Sequence, residues 1–220
     1  MLLRPDGDDV LCIGQASHAW ISGQMARAWA QPFEPYEAVC LAAEQHDVGM
    51  AEWDRAPTLN AETGLPHSFT EMPVSTHAAL WLDAPQRLVT TSVYAAALVS
   101  LHGTRLYELR ERTPEVASLF DAQEEFRRSL GFERSELEPG STLVWIWDYL
   151  SLAALLGWAG EVEGLRVDGP RVAPWPFAES SLTVCCEARR LGGRFTDERE
   201  MQAALAAAAP ETLELRLLPL

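Results

Sequence analysis

The chain has 220 residues and a mass of 24.3 kDa, a size that suits a single domain over residues 1–220. Its 48% hydrophobic content supports a sizeable core, while a net charge of −15 argues against binding nucleic acid by neutralising phosphates. Every basic side chain is arginine, which excludes a lysine Schiff base and a Walker-type phosphate lysine.

Cys12, Cys40, Cys185 and Cys186 lack CxxC spacing and read as reduced thiols, with Cys185 and Cys186 packing a strand. The opening MLLRPDGDDV carries charge where a signal peptide needs an apolar stretch. The longest apolar runs, such as residues 152–159, fall short of the ~20 residues of a membrane span. A cytoplasmic protein with neither membrane nor nucleic acid as partner is expected, and a homodimer is compatible with the sequence.

In chain order, Gly7 between apolar runs at 2–3 and 10–13 predicts a hairpin. A helix follows from Ser17, as N-cap, to about residue 30, where Pro32 stops it. A second runs from about 35 to 48, with Gly49 as its C-cap. Residues 51–75, which hold Pro57, Gly64, Pro66 and Pro73, read as a long ordered loop. Helical signal returns at about 76–82 and again from 86 to about 112. Thr113-Pro114 opens a helix that closes at Gly131, and another spans roughly 141–158. Beyond Gly160, residues 165–172, 182–188 and 213–217 read as strands and 196–209 as a helix. The expected architecture is mainly α, a bundle of about six helices over roughly 15–160. A small antiparallel sheet from residues 1–14 and 161–220 completes it.

The informative side chains are ionisable groups on apolar helix faces. His18 shares its face with Ile21, Ser22, Met25 and Trp29, and His46 shares one with Val39, Ala42 and Ala43. Asp47 follows one step round. His102 sits with Leu98, Val99, Leu106 and Leu109. Asp148 is the only charged residue in LVWIWDYLSLAALL, residues 143–156. A buried carboxylate without a partner costs several kcal/mol or titrates to its neutral form, so Asp148 needs a metal, an arginine or a capping role. Imidazoles and carboxylates from separate helices, all facing inward, are the parts from which helical proteins assemble metal sites. His67, in a polar loop, has no apolar face and is left out.

The stretch LAAEQHDVG, residues 41–49, resembles the central motif of the HD superfamily of metal-dependent phosphohydrolases, with His18 and Asp148 completing the order H…HD…D. The resemblance implies an HD-domain-like helical bundle in which His18, His46, Asp47 and Asp148 ligate a first divalent metal ion (Mn, Mg, Ni, Zn or Fe). His77 and His102 would supply a second. A closer resemblance rests on QASHAWISGQMARAW, EQHDVGMAEWDRAPTLNAETGLPHSF, YAAALVSLHG, WDYLSL and PWPF. These segments look like the bacterial domain-of-unknown-function family 3891.

The activity implied is phosphate-ester hydrolysis of a small phosphorylated metabolite or nucleotide. The metal would activate water, and Asp47 would serve as the catalytic, water-orienting carboxylate. Met50 stands where HD proteins often carry lysine, so phosphate oxygens would have to meet Arg55 or Arg105. Trp53, in the loop after the motif, would cover a base or sugar ring. Two alternatives stay open: an HD-type di-iron oxygenase that uses His77 and His102, and a non-catalytic metal- or ligand-binding module.

Overall fold

A computed structural model describes residues 1–108 and 112–220. The last turn of the expected 86–112 helix, with Leu109 on the His102 face, lies partly outside the described residues.

The chain opens with strands β1 (Leu2–Asp6) and β2 (Asp9–Ile13), paired antiparallel as the hairpin signal predicts. Gly7 takes φ 64 at their turn, a backbone conformation closed to most side chains. Helix α1 (Gln15–Ala28) follows, then α2 (Tyr36–Gln45). A 3₁₀ turn, Val48–Met50, leads into the short α3 (Ala51–Arg55). The expected long loop is built, not irregular. It carries α3, a miniature hairpin of β3 (Leu59–Asn60) and β4 (Leu65–Pro66), and a 3₁₀ turn at Phe69–Glu71 closed by a Ser68–Glu71 capping box.

Helix α4 (Val74–Asp83) comes next. The single helix expected from residue 86 is broken: Pro85–Leu88 form a 3₁₀ turn, and α5 (Val93–Arg105) starts afresh where the Ser92 side chain accepts from the Ala95 N–H at 3.2 Å. Helix α6 (Pro114–Ser129) begins at the expected Thr113 cap, whose side chain accepts from the Val116 N–H. Helix α7 (Arg134–Leu156) starts earlier than expected, with Pro139 inside it. Gly140 lies where α7 crosses the core, and a Cβ there would meet Leu98 and Val39 at 3.2–3.4 Å.

The remaining elements are β5 (Ala159–Val162), β6 (Leu165–Asp168), β7 (Arg171–Ala173), β8 (Leu182–Leu191), α8 (Glu198–Ala207) and β9 (Pro210–Pro219). They overturn the expected bundle with a small antiparallel sheet. About 51% of the described residues are helical and 22% are strand, and the main sheet is a curled, seven-stranded half-barrel in the order β1-β2-β8-β9-β7-β6-β5. It is mixed, because β7 pairs parallel with β9 while the other pairs are antiparallel. The physical reason is reach. Strands β8 and β9 pair over eight residues, and that ladder carries charged and proline positions such as Arg189, Glu211 and Pro210 that local patterning treats as strand ends.

The other helices and one face of the sheet share the main core, while α8 packs Met201 and Leu205 with Met1, Val10, Cys12 and Leu191 in a second, smaller cluster. Helix α1 packs against β8, and the Gln24 amide bridges them, donating to the Cys185 carbonyl at 2.7 Å and accepting from its N–H at 3.0 Å. Helix α5 is the central element, with residues 95–104 all buried between α2, α6 and α7. Among the described residues, no helix is long and apolar enough to cross a membrane.

Candidate metal centre

Four elements bring ionisable side chains to one point in the core. Helix α1 brings His18, the end of α2 brings His46 and Asp47, α5 brings His102, and α7 brings Asp148; all five are buried. The adjacent pair can face one site because the α-helix ends at Gln45. His46 still has helical backbone angles, while Asp47 departs to φ −103, ψ 21, so the two side chains escape the 100° step of a regular helix.

Gly49 makes this break possible, although not as the expected C-cap. A Cβ on Gly49 would sit 2.6 Å from the Ala84 Cβ and 2.8 Å from the Leu80 carbonyl oxygen. The glycine therefore lets α4 press directly onto the turn that carries the pair.

Hydrogen bonds fix which nitrogen His46 and His18 present. His46 Nδ1 donates to the Ala43 carbonyl at 2.8 Å, leaving Nε2 to face the carboxylates. That Nε2 is buried without a hydrogen-bond partner, 3.4 Å from Asp148 Oδ1 and 3.7 Å from Asp47 Oδ2. His18 Nδ1 lies 2.9 Å from Ser151 Oγ, and the Ser151 hydroxyl spends its proton on the Asp148 carbonyl at 2.8 Å. His18 must therefore donate from Nδ1. Its Nε2 then meets Asp47 Oδ2 at 2.6 Å, a pairing that needs a positive species, either a proton or a cation, between two lone pairs. The His102 Nε2 lies 3.8 Å from Asp148 Oδ2.

The electrostatics follow from this crowding. Burial alone would lower the pKa of His46, but Asp47 and Asp148 outweigh it and raise the group to about 9. Burial opposes ionisation of Asp47 and Asp148, yet His46 and the other imidazoles around them hold both carboxyls below their usual range. His102 goes the other way. Burial, reinforced by His46, lowers it to about 4.

These residues fit a divalent cation. Ligand atoms of His18, His46 and Asp148, and likewise of His46, Asp47 and His102, lie within 4.8 Å of one another, and the orphaned His46 Nε2 points among them. Three imidazoles and two carboxylates form a donor set that suits several divalent transition metals.

The other sequence candidates lie elsewhere. His77 is not part of this cluster: its Nδ1 bonds the Tyr107 hydroxyl, and its Nε2 accepts from the Trp81 indole N–H at 3.2 Å. It does line the same cavity, of about 150 Å³, together with His18, Asp47, His102 and Asp148. Trp53 is half-buried against the core and does not line that cavity. Arg55 is exposed and borders a different cleft, beside Asp54 and Arg189. Arg105 lies over the Trp145 ring and pairs with Glu163 at 2.7 Å. No arginine lines the cavity among the described residues.

Two participants escape sequence reading. Ser151, three residues after Asp148 on the same face of an apolar helix, orients His18. Gln15, three residues before His18, lines the cavity, and its backbone N–H bonds Asp54, a carboxylate at the start of α1. The signal for both is a polar residue at helical spacing from a clustered side chain.

No curated protein and no solved structure matches the chain. The family model described as "Protein of unknown function (DUF3891)" matches residues 1–192, a span that contains all five clustered side chains. The chain belongs to that family.

Proposed function

We propose that the protein is a metal-dependent phosphohydrolase of HD type, acting on a small phosphorylated metabolite or nucleotide. The observation that carries this reading is the convergence of His18, His46, Asp47 and Asp148, in the order H…HD…D, on one point at the wall of a cavity. A divalent ion held there would supply Lewis acidity, polarising a phosphoryl oxygen and lowering the pKa of water.

The chain's own residues do the rest. Ala43 and Ser151 hold the His46 and His18 rings with fixed tautomers. Asp47, kept ionised by its histidine neighbours, can orient an attacking water. His102, kept neutral by burial, offers an acceptor on the same wall. Substrate charge would meet the cation rather than Arg55 or Arg105. The di-iron alternative asks His77 to join His102 at a second ion, whereas both nitrogens of His77 already bond Tyr107 and Trp81. A single-ion site is the reading the geometry supports best.

The test is metal analysis of the purified protein combined with phosphate release from an aryl phosphate. Stoichiometric manganese, magnesium, nickel or zinc, with turnover abolished in Asp148→Ala, would support it. Metal-loaded protein that releases no phosphate, or iron with oxygen uptake instead, would overturn it.

A further inference from the structure

Gln15 is 4% exposed, and its side-chain oxygen has no hydrogen-bond partner, although the residue lines the cavity beside His18. Buried amide oxygens are nearly always satisfied, so one left over in a residue that lines a cavity can accept a donor brought in by a ligand. The start of α1 holds the residue there. The Gln15 N–H donates to Asp54, which ties down the first turn, and Gln15 and His18 project from the same face one turn apart.

The rest of the wall sets the size and chemistry of what can enter. Phe69, Met72, Leu106 and Leu152 are apolar, and Thr70 and Tyr107 add hydroxyls. The volume of about 150 Å³ is roughly that of a cavity that takes a six-membered ring, and falls below the ~300 Å³ at which pockets for larger ligands begin. A nucleoside phosphate exceeds it.

Resting on the phosphohydrolase reading, we infer that Gln15 is a specificity-determining residue that accepts a hydrogen bond from a substrate hydroxyl. The substrate is then a short-chain, hydroxylated phosphate monoester rather than a nucleotide. The carboxamide reads the hydroxyl, the apolar wall takes the carbon chain, and the ester end lies toward the carboxylate–imidazole cluster.

The probes are glycerol 3-phosphate, propyl phosphate and adenosine monophosphate, titrated calorimetrically into zinc-loaded protein and assayed in parallel for phosphate release. Wild-type protein is expected to bind glycerol 3-phosphate at least ten-fold more tightly than propyl phosphate, and not to bind adenosine monophosphate measurably. Gln15→Met, close in shape but without the acceptor, is expected to bring that ratio near one through weaker glycerol 3-phosphate binding and a raised KM. Equal affinities in the wild type would overturn the inference whether or not the variant folds, and so would tighter binding of the nucleotide. A Gln15→Met protein that keeps the ratio but loses kcat would also overturn it, assigning Gln15 to water instead. Binding that discriminates without phosphate release would sink the phosphohydrolase reading alone, whereas turnover without discrimination would sink the Gln15 inference alone.

Discussion

Ser151 accepts a hydrogen bond from His18 while donating its only proton to the carbonyl of Asp148, so one hydroxyl ties the histidine of α1 to the aspartate-bearing turn of α7. Removing it in Ser151→Ala leaves His18 Nδ1 without a hydrogen-bond partner and the ring held only through its Nε2 contact with Asp47. Partners of this kind typically change metal affinity 10- to 100-fold. The variant is expected to fold, to lose about 1–3 kcal/mol of stability, and to bind zinc about ten-fold more weakly or worse. Competition with a chromophoric chelator measures this; an unchanged dissociation constant would remove Ser151 from the site.

The metal-free protein should have a stability maximum near pH 6.5. His46 carries a folded-state pKa of about 9 against 6.5 when unfolded, so its contribution is complete below pH 6.5 and is lost as pH rises through about 9. For His102 the folded value is about 4, so the unfolded chain takes up a proton first and stability falls as pH drops from 6.5 through 4. Asp47 and Asp148, both lowered, extend that acid loss. Thermal melts in chelator across pH 4–9.5 would check the shape. His46→Gln should flatten the alkaline arm between 6.5 and 9 and leave the acid arm standing; an alkaline arm unaffected by that change would refute the assignment.

Gly49→Ala should be more damaging than its single methyl suggests. The added Cβ meets the Leu80 carbonyl, a backbone atom that cannot step aside, so α4 must move off the turn carrying His46 and Asp47. Overpacking of this kind costs about 1–3 kcal/mol. Metal affinity should fall with stability, since the same shift disturbs the pair. Denaturant melts together with zinc titration would test both; a stable variant with lost affinity, or the reverse, would separate two effects that the structure couples.

The five clustered residues were legible because burial penalises charge. An aspartate alone in fourteen apolar-helix residues, and histidines on apolar faces, must converge on something. His77 falls in with them in the sequence because order along the chain carries no direction: it reaches the cavity, yet Trp81, one turn on, takes its Nε2. Trp53, Arg55 and Arg105 are near the motif residues in sequence, yet none of them lines the cavity. The fold was half legible. The helices of the core announced themselves by period, whereas the half-barrel depends on pairings such as β2 with β8 and β7 with β9, between segments far apart or locally ambiguous. Gly49 looks like a cap by residue type alone, whereas its role is set by Leu80 and Ala84 across the packing.

Metal binding should be visible as stability, because the unfolded chain does not hold the five clustered side chains together. At zinc concentrations 100 times the dissociation constant, linkage adds about 2.7 kcal/mol. For a chain of this length, 1 kcal/mol moves Tm by about 2–4 °C, so the midpoint should rise by roughly 5–11 °C. Asp148→Asn keeps the shape of the side chain but removes the charge that faces His18, His46 and His102. It should abolish most of that rise while leaving a folded protein, its metal-free form less stable because His46 loses one of the two carboxylates that hold it protonated. Differential scanning calorimetry with and without zinc, on wild type and variant, makes the comparison. A wild-type Tm indifferent to zinc, manganese, nickel and iron alike would mean that the cluster holds its own protons and no ion.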